Sequence, residues 1–309
     1  MKIEYLSQAR VPDFIEFCKK HRDEVDDSFL YEEDLKNFQP HADNPTYIVT
    51  NNEADVIAVI SLIMDSYMIR GKKGRFRIFH SAEPDLHIYK MMLESIKTHT
   101  TGINSVFLFI QEDKHAVRDL FESMQFDIER CAYFLTRDAI DSAPPVLPND
   151  CQFKTFEFNK DEADYLHVRN TGFSALKGSE TPLSAEEVVS MKEKEDYLEG
   201  GIFLLYHQEK PIGLVRSSRD VYQNEAVLSI GPLALIPEYQ GQGLGRQLLR
   251  KALEFGKRSG YPKAVLSANV DNERAVRLYL KEGFKKEESV ICYRYDLTQS
   301  IKFNCNGGK

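Results

Sequence analysis

The sequence predicts an α/β (α+β) protein that builds one kind of domain twice in tandem. Three observations carry this. Short apolar runs alternate with amphipathic stretches of helical period along the 309 residues. The order of those elements in the first half recurs in the second. Between the halves lies Ser142–Asp150, SAPPVLPND, whose three prolines lack backbone donors and interrupt both helix and sheet. The domains are therefore drawn at 1–141 and 151–303, with a linker at 142–150 and a polar, glycine-ended tail at 304–309 expected to fray.

In chain order, Lys2–Leu6 reads as a strand and Val11–Val25 as a helix with Phe14, Ile15, Phe17 and Cys18 on its apolar side. EEDLKNF is partly helical. Thr46–Thr50 and Asp55–Asp65 flank a polar turn and read as a hairpin. Gly71–Gly74 reads as a basic loop, Arg75–His80 as a strand, Leu86–Thr98 as a helix, Val106–Ile110 as a buried strand and His115–Met124 as a helix. Phe126–Arg137 closes the copy with a strand pair. The second half repeats the order. Phe153–Phe158 is a strand, Asp161–Leu176 contains a helix, and Leu183–Leu198 is a helix capped by Ser184 with Glu187 three residues on. Gly201–Tyr206 and Pro211–Ser217 form a hairpin. A strand, a helix, a further strand and helix follow, and Val290–Leu297 closes the domain.

Composition excludes several classes. Hydrophobic residues make up 42% and charged residues 28%, ordinary for a globular protein. A net charge of −8 argues against a nucleic-acid binder. No apolar run approaches the ~20 residues of a membrane span, and MKIEYLSQARVPDF lacks the apolar core of a signal peptide. The five cysteines are scattered, with no Cys-x-x-Cys pair, which suits a reducing cytoplasm and no structural metal.

The chemistry concentrates between Val227 and Phe255. An apolar strand runs into a turn with Gly241, Gly243 and Gly245, then into a helix with Leu244, Leu248, Leu249, Ala252 and Leu253 on one face. Such a turn leaves backbone N–H groups free at a helix N-terminus, where phosphate binds, and a side chain on the glycines would block its approach. A P-loop needs a Lys-Ser/Thr that is absent. A dinucleotide fingerprint needs its third glycine one residue later than Gly245.

The remaining pattern, Gln240-x-x-Gly243-x-Gly245 followed by Arg246, resembles the acetyl-CoA pyrophosphate loop of the GCN5-related N-acetyltransferase (GNAT) superfamily. Downstream, Asn272, Ala275, Tyr279, Gly283 and Phe284 resemble the strand-5/helix-4 segment of the same enzymes. The resemblance covers about residues 152–297. It implies, for each copy, a mixed, mostly antiparallel central sheet flanked by helices. It also implies acetyl-CoA as co-substrate, no metal, and transfer of acetyl to a primary amine of a small molecule. Main-chain groups of Leu233, Ala234 and Leu235 would meet the acetyl and pantetheine groups. Gln240, Gly241, Gln242, Gly243, Leu244, Gly245 and Arg246 would cradle the pyrophosphate. Asn272 would bond the pantetheine arm or cap its helix. Tyr279, two helical turns on, would protonate the departing thiolate. Pro232 is expected to break the ladder into a bulge or splay.

No base is assigned. The position five before Asn272, where some GNAT enzymes carry glutamate, is Ser267. Glu225 and His207 qualify by residue type alone and read as surface residues. Acceptor contacts are expected around Asn170–Thr181 (Phe173, Ser174, Lys177) and near Tyr293. Aligning Phe126 with Phe284 puts Phe121 opposite Tyr279. The first copy carries Glu83 and Asp85 where the glycine loop should be, so it reads as a degenerate domain without cofactor. The tandem arrangement is similar to that of mycothiol synthase, but no motif assigns the acceptor. Two alternatives stay open: a non-enzymatic acyl-CoA-binding or regulatory protein, and a dinucleotide enzyme with Asp271 on a ribose. A monomer, as an intramolecular pseudo-dimer, or a homodimer is expected.

Overall fold

The computed structural model describes residues 1–298; the tail assigned to 304–309 lies outside them. The first half of the chain runs β1 (Lys2–Tyr5), α1 (Val11–Lys20), α2 (Glu32–Leu35), β2 (Thr46–Thr50), β3 (Val56–Ile63), α3 (Ser66–Arg70), β4 (Lys73–Ser81), α4 (Leu86–Lys97), β5 (Ser105–Gln111), α5 (His115–Ser123) and β6 (Asp127–Arg137). The second runs β7 (Cys151–Thr155), α6 (Glu162–Phe173), α7 (Ala185–Ser190), β8 (Tyr197–His207), β9 (Lys210–Tyr222), β10 (Glu225–Leu235), α8 (Leu244–Arg258), β11 (Ala264–Asn269), α9 (Glu273–Lys281) and β12 (Lys285–Asp296). Among the described residues no helix is long and apolar enough to cross a membrane.

The chain forms two compact units, and their boundaries fall inside β6 and β12. Residues 1–131 together with 290–298 make the first unit, and Ala132–Ser289 make the second. In the first, the strand order is β1-β2-β3-β4-β5-β12. β12 is antiparallel to β5, with Val290 opposite Gln111 and Asp296 opposite Ser105. In the second, the order is β6-β11-β10-β9-β8-β7. β6 is antiparallel to β11, with Ala132 opposite Asn269 and Arg137 opposite Ala264. Each sheet is thus closed by the last strand of the other sequence half. The stretch 142–150 lies within the second unit rather than between the two. The Val146 N–H donates to Gln247 Oε1 at 2.8 Å, the Gln208 N–H donates to the Asp150 carbonyl at 2.7 Å, and Leu147 packs on the core.

Both sheets are mostly antiparallel, with one parallel pair each: β4 with β5, and β10 with β11. Both parallel pairs are short. Only Lys73–Arg75 meet Ser105–Phe107, and only Leu228 and Ser229 meet Ala264 and Val265. Beyond those points the strands diverge. Apolar side chains fill both faces of each sheet, as strands covered by helices require. In the second unit, α8 puts Leu244, Leu248, Leu249, Ala252 and Leu253 against Leu228, Ile230 and Leu235. The packing is close: a Cβ on Gly256 would stand 2.6 Å from Leu228 Cδ2.

Several local expectations change. Phe126–Arg137 is one continuous strand rather than a pair. The helix drawn over Leu183–Leu198 stops at Ser190, passes through one 3-10 turn, and gives way to β8. Its cap is as expected: Ser184 Oγ accepts from the Glu187 N–H, and Glu187 Oε2 accepts from the Ser184 N–H at 2.7 Å. Lys73 and Gly74, read as loop, begin β4, and the short helix α3 has no counterpart in the sequence reading.

Candidate active site

β10 enters the site with Pro232 in it. A proline cannot donate to a ladder, and the register with β9 shifts between Ile230 and Leu233, as a bulge there requires. The Gly231-Pro232 peptide bond is cis. Past the bulge, Leu233, Ala234 and Leu235 face Val215, Leu214 and Gly213 of β9. The Ile236 N–H donates to the Ile212 carbonyl at 3.0 Å. Alternation along an antiparallel strand then turns the Ala234 N–H toward β9 and the N–H groups of Leu233 and Leu235 the other way. That other side is the divergence from β11, where no strand pairs with them.

The chain next passes through a 3-10 turn at Pro237–Tyr239 and the glycine turn into α8. Gln240 Nε2 donates to the Leu235 carbonyl at 3.0 Å, and Gln242 Nε2 to the Glu238 carbonyl at 3.0 Å. These side chains are spent on bracing the loop. Gly241 and Gly243 have φ of 80° and 83°, in the left-handed region that glycine enters freely. A Cβ on either would meet no protein atom within 4 Å, so it would project into the open space where a ligand would approach. Gly243 is the N-cap of this 15-residue helix and supplies no side-chain cap; the Arg246 N–H donates back to the Gly243 carbonyl at 3.1 Å, and the N–H groups of Leu244 and Gly245 stay open at the helix start. Leu244, by contrast, is buried in the core, so only its main chain could meet a ligand. A Cβ on Gly245 would sit 3.6 Å from Leu278 Cδ2, at ordinary contact distance. The reason for glycine at that position is therefore not protein crowding.

The helix start in the first unit is built differently. Asp85 caps α4, its Oδ1 accepting from the His87 N–H at 2.7 Å. A carboxylate thus occupies the start of this helix, where α8 has a bare glycine.

Arg246 lies half exposed, with Nε 2.9 Å from Glu282 Oε1. Glu282 also takes two hydrogen bonds from Arg250, at 2.9 and 3.0 Å. The positive charge expected beside the loop is thus shared with a buried carboxylate. Asn272 caps α9: its Oδ1 accepts from the Ala275 N–H at 3.3 Å. Its amide nitrogen has no partner among the described residues. Two turns along α9, Tyr279 is buried, with its ring 6.1 Å from that of Phe284. Burial pushes its hydroxyl up to about 12, and the hydroxyl makes no hydrogen bond among the described residues. The alignment with Phe121 holds in detail. The Phe284 N–H donates to the Tyr279 carbonyl at 3.0 Å, and the Phe126 N–H to the Phe121 carbonyl at 3.1 Å.

The two bases considered by residue type are engaged elsewhere. His207 lies between Tyr239 Oη at 2.9 Å and Asp150 Oδ2 at 2.6 Å. Glu225 pairs with Lys263 at 2.8 Å. Tyr293, expected in the acceptor pocket, is a correction. It sits on the part of β12 that closes the first unit, fully buried, donating to Glu122 Oε1 at 2.6 Å. Asn170 is a staple: its Oδ1 accepts from the Leu183 N–H at 2.9 Å, and its Nδ2 donates to the Leu183 carbonyl at 3.1 Å.

A polar cluster on the α6 side went unread in the sequence. Arg216 donates to Asp196 Oδ2 at 2.6 Å. Arg216 Nε, Asp196 Oδ1 and the Tyr165 hydroxyl are buried without a hydrogen-bond partner. The charges of Arg216 and Arg169 act on Tyr165, yet burial dominates and pushes it up to about 12. No spacing rule brings positions 165, 169, 196 and 216 together; the packing of α6 on β9 does.

The acetyltransferase (GNAT) family profile matches residues 173–284, which contain the splayed strand, the glycine turn, α8 and α9. Among curated proteins, a mycothiol acetyltransferase of Acidimicrobium ferrooxidans is 29% identical over 194 residues, 62% of each chain. One from Streptomyces griseus is 29% identical over 155 residues, 50% of each chain. The chain thus spans less than two thirds of the length of these relatives. N-alpha-acetyltransferase 30 of Schizosaccharomyces pombe is 32% identical over 102 residues, 33% of this chain and 68% of that protein. Among solved structures, a GCN5-related N-acetyltransferase from Sphaerobacter thermophilus has a TM-score of 0.71 at 15% identity, covering 96% of this chain and 95% of its own. A tandem GNAT protein from the clavulanic acid biosynthesis pathway has a TM-score of 0.69 at 12% identity, covering 96% and 99%. Whole-chain likeness to these structures supports the tandem fold, and sequence likeness spanning most of the yeast protein supports descent: the chain belongs to the GNAT acetyltransferase family.

Proposed function

We propose that the protein is an N-acetyltransferase that moves acetyl from acetyl-CoA to a primary amine of a small molecule, with catalysis in the second unit. The observation that carries this is the uncapped start of α8 beside the unpaired edge of β10. An anion cradle and a row of free main-chain donors lie end to end, as a pyrophosphate with a thioester arm requires. The amides from Gly241 to Gly245 hold the pyrophosphate beside the Arg246 guanidinium, the Arg246 N–H being taken by the Gly243 carbonyl at 3.1 Å. The N–H groups of Leu233 and Leu235 face the arm, and one of them stabilises the oxyanion that forms when the amine attacks the thioester carbon, a contribution of ~3 kcal/mol. The Asn272 amide nitrogen donates to the arm. As the C–S bond breaks, Tyr279 offers its proton to the sulfur, and the proton shed by the attacking nitrogen passes to water and from there restores the phenol. A buried phenol keeps that proton at neutral pH, and the same dry surroundings raise the proton affinity of the thiolate.

The relatives named for mycothiol support a small-molecule acceptor over a protein one. The cluster of Arg216, Asp196, Tyr165 and Arg169 supplies the polar groups such an acceptor would meet. With His207 and Glu225 engaged, no side chain of this unit is assigned as base, and the amine reaches the thioester carbon already neutral. Release of CoA thiol on addition of amines tests the reading. Tyr279→Phe is expected to lower kcat ~10²–10⁴-fold while leaving acetyl-CoA affinity near wild type. The alternative, an acyl-CoA-binding protein without turnover, predicts tight acetyl-CoA binding with no amine-dependent release in either protein.

A further inference from the structure

The first unit carries a second cluster of chemically able side chains, remote in sequence from the acetyl-transfer residues. α1 ends at Lys20; His21 follows, and a 3-10 turn at Arg22–Glu24 brings Glu24 back beneath it. A period of three residues puts positions 21 and 24 on one side. His80 reaches the same point from β4. His21 Nδ1 stands 2.9 Å from Glu24 Oε1, and His80 Nε2 stands 3.2 Å from Glu24 Oε2. One ligand atom from each of the three residues lies within 4.8 Å of the others. The two rings are 5.0 Å apart, and His21 and His80 are 7% and 8% exposed.

Ordinary packing leaves one fact unexplained. His80 Nε2 is buried and makes no hydrogen bond, because the Glu24 carboxylate 3.2 Å away is out of line for one. An unmade bond at a buried polar atom costs about 1–3 kcal/mol. Two donors on one tetrahedral metal, each ~2.0–2.1 Å from it, stand about 3.3 Å apart with no need to point at each other. The separation at His80 and Glu24 matches that edge. Glu24 and His80 also line a cavity whose walls include Arg77, Gln111, Lys114 and Phe121. A fourth coordination position therefore has space to open into.

We propose that His21, Glu24 and His80 form a binding site for a divalent transition-metal ion of the zinc class, with its fourth position toward this cavity. Two imidazoles and one carboxylate suit a borderline ion and not calcium or magnesium, which prefer oxygen alone. Arg77 and Lys114 place positive charge nearby and weaken the site, while favouring an anion or hydroxide at the open position. The expectation of no structural metal rested on cysteine spacing, which is blind to histidines 59 residues apart. The proposal is independent of the acetyl-transfer reading.

The test is calorimetric titration of zinc chloride into the full-length protein after chelator treatment, with cobalt(II) absorption in the visible as a report on coordination. One ion per chain is expected, with a tetrahedral cobalt spectrum. Glu24→Gln alters a half-exposed side chain and should keep the far-ultraviolet circular dichroism of wild type while weakening binding at least ~10-fold. His80→Ala should abolish the cobalt bands. Absence of binding, or binding unchanged in Glu24→Gln because the ion sits on surface histidines or cysteines, would overturn the proposal.

Discussion

Tyr279 is buried as a residue, and its hydroxyl makes no hydrogen bond among the described residues, so the fold draws no hydrogen-bond energy from that oxygen. Replacing it by phenylalanine should therefore leave the melting temperature at or slightly above wild type, even as turnover falls. The same burial makes the protein sensitive to alkali. Tyr165 and Tyr279 are pushed from 10.0 up to about 12, and Cys18 and Cys292 from 9.0 up to about 12. Their folded values lie above the unfolded ones, so the folded chain holds protons that the unfolded chain releases. The stability tied to these groups is complete below about pH 9 and is lost as pH rises toward 12. Denaturant midpoints should hold from pH 8 to about 9 and then fall steadily to pH 11. A midpoint that stays flat to pH 11 would show that these groups are not protected.

At the level of elements, the proposed site rests on α8 and its turn. Gly243 needs its left-handed backbone, and alanine there costs about 1–2 kcal/mol. Gly245 sits inside the first helical turn with room for a methyl, and alanine there should stabilise the fold by about 0.5–1 kcal/mol. Urea titrations of the two variants should move in opposite directions. Much of this was legible in the sequence, because glycine spacing and helix period are local signals. The Ser184–Glu187 cap was legible for the same reason. The splay of β10 was foreshadowed by Pro232. The ending of α7 at Ser190 was not, since Met191–Leu198 keeps a helical mix of residues and enters β8 only because Tyr197 and its neighbours find β9 to pair with. The joining of Tyr165, Arg169, Asp196 and Arg216 was likewise hidden, as it depends on how α6 lies on the sheet.

For the whole molecule, the two sequence halves are not the two folded units. β6 and β12 occupy equivalent places in the repeat, so nothing local tells each which β5-like or β11-like edge to join. Pairing settles it, and Tyr293 ends in the core of the first unit as a consequence. A fragment beginning at Cys151 would lack β6 and leave β11 as a bare edge, an aggregation hazard. A fragment spanning 132–289 keeps its full sheet. Expression of both should yield a soluble, cooperatively unfolding 132–289 and an aggregating 151–309; the reverse would refute the exchange. Of the two related units, the second is proposed to hold acetyl-CoA, through the open start of α8. The most direct test is calorimetric titration of acetyl-CoA into the wild-type protein and into Gly243→Glu. One site per chain, lost in the variant, is the predicted result. Two sites per chain, or a site that survives Gly243→Glu, would contradict it.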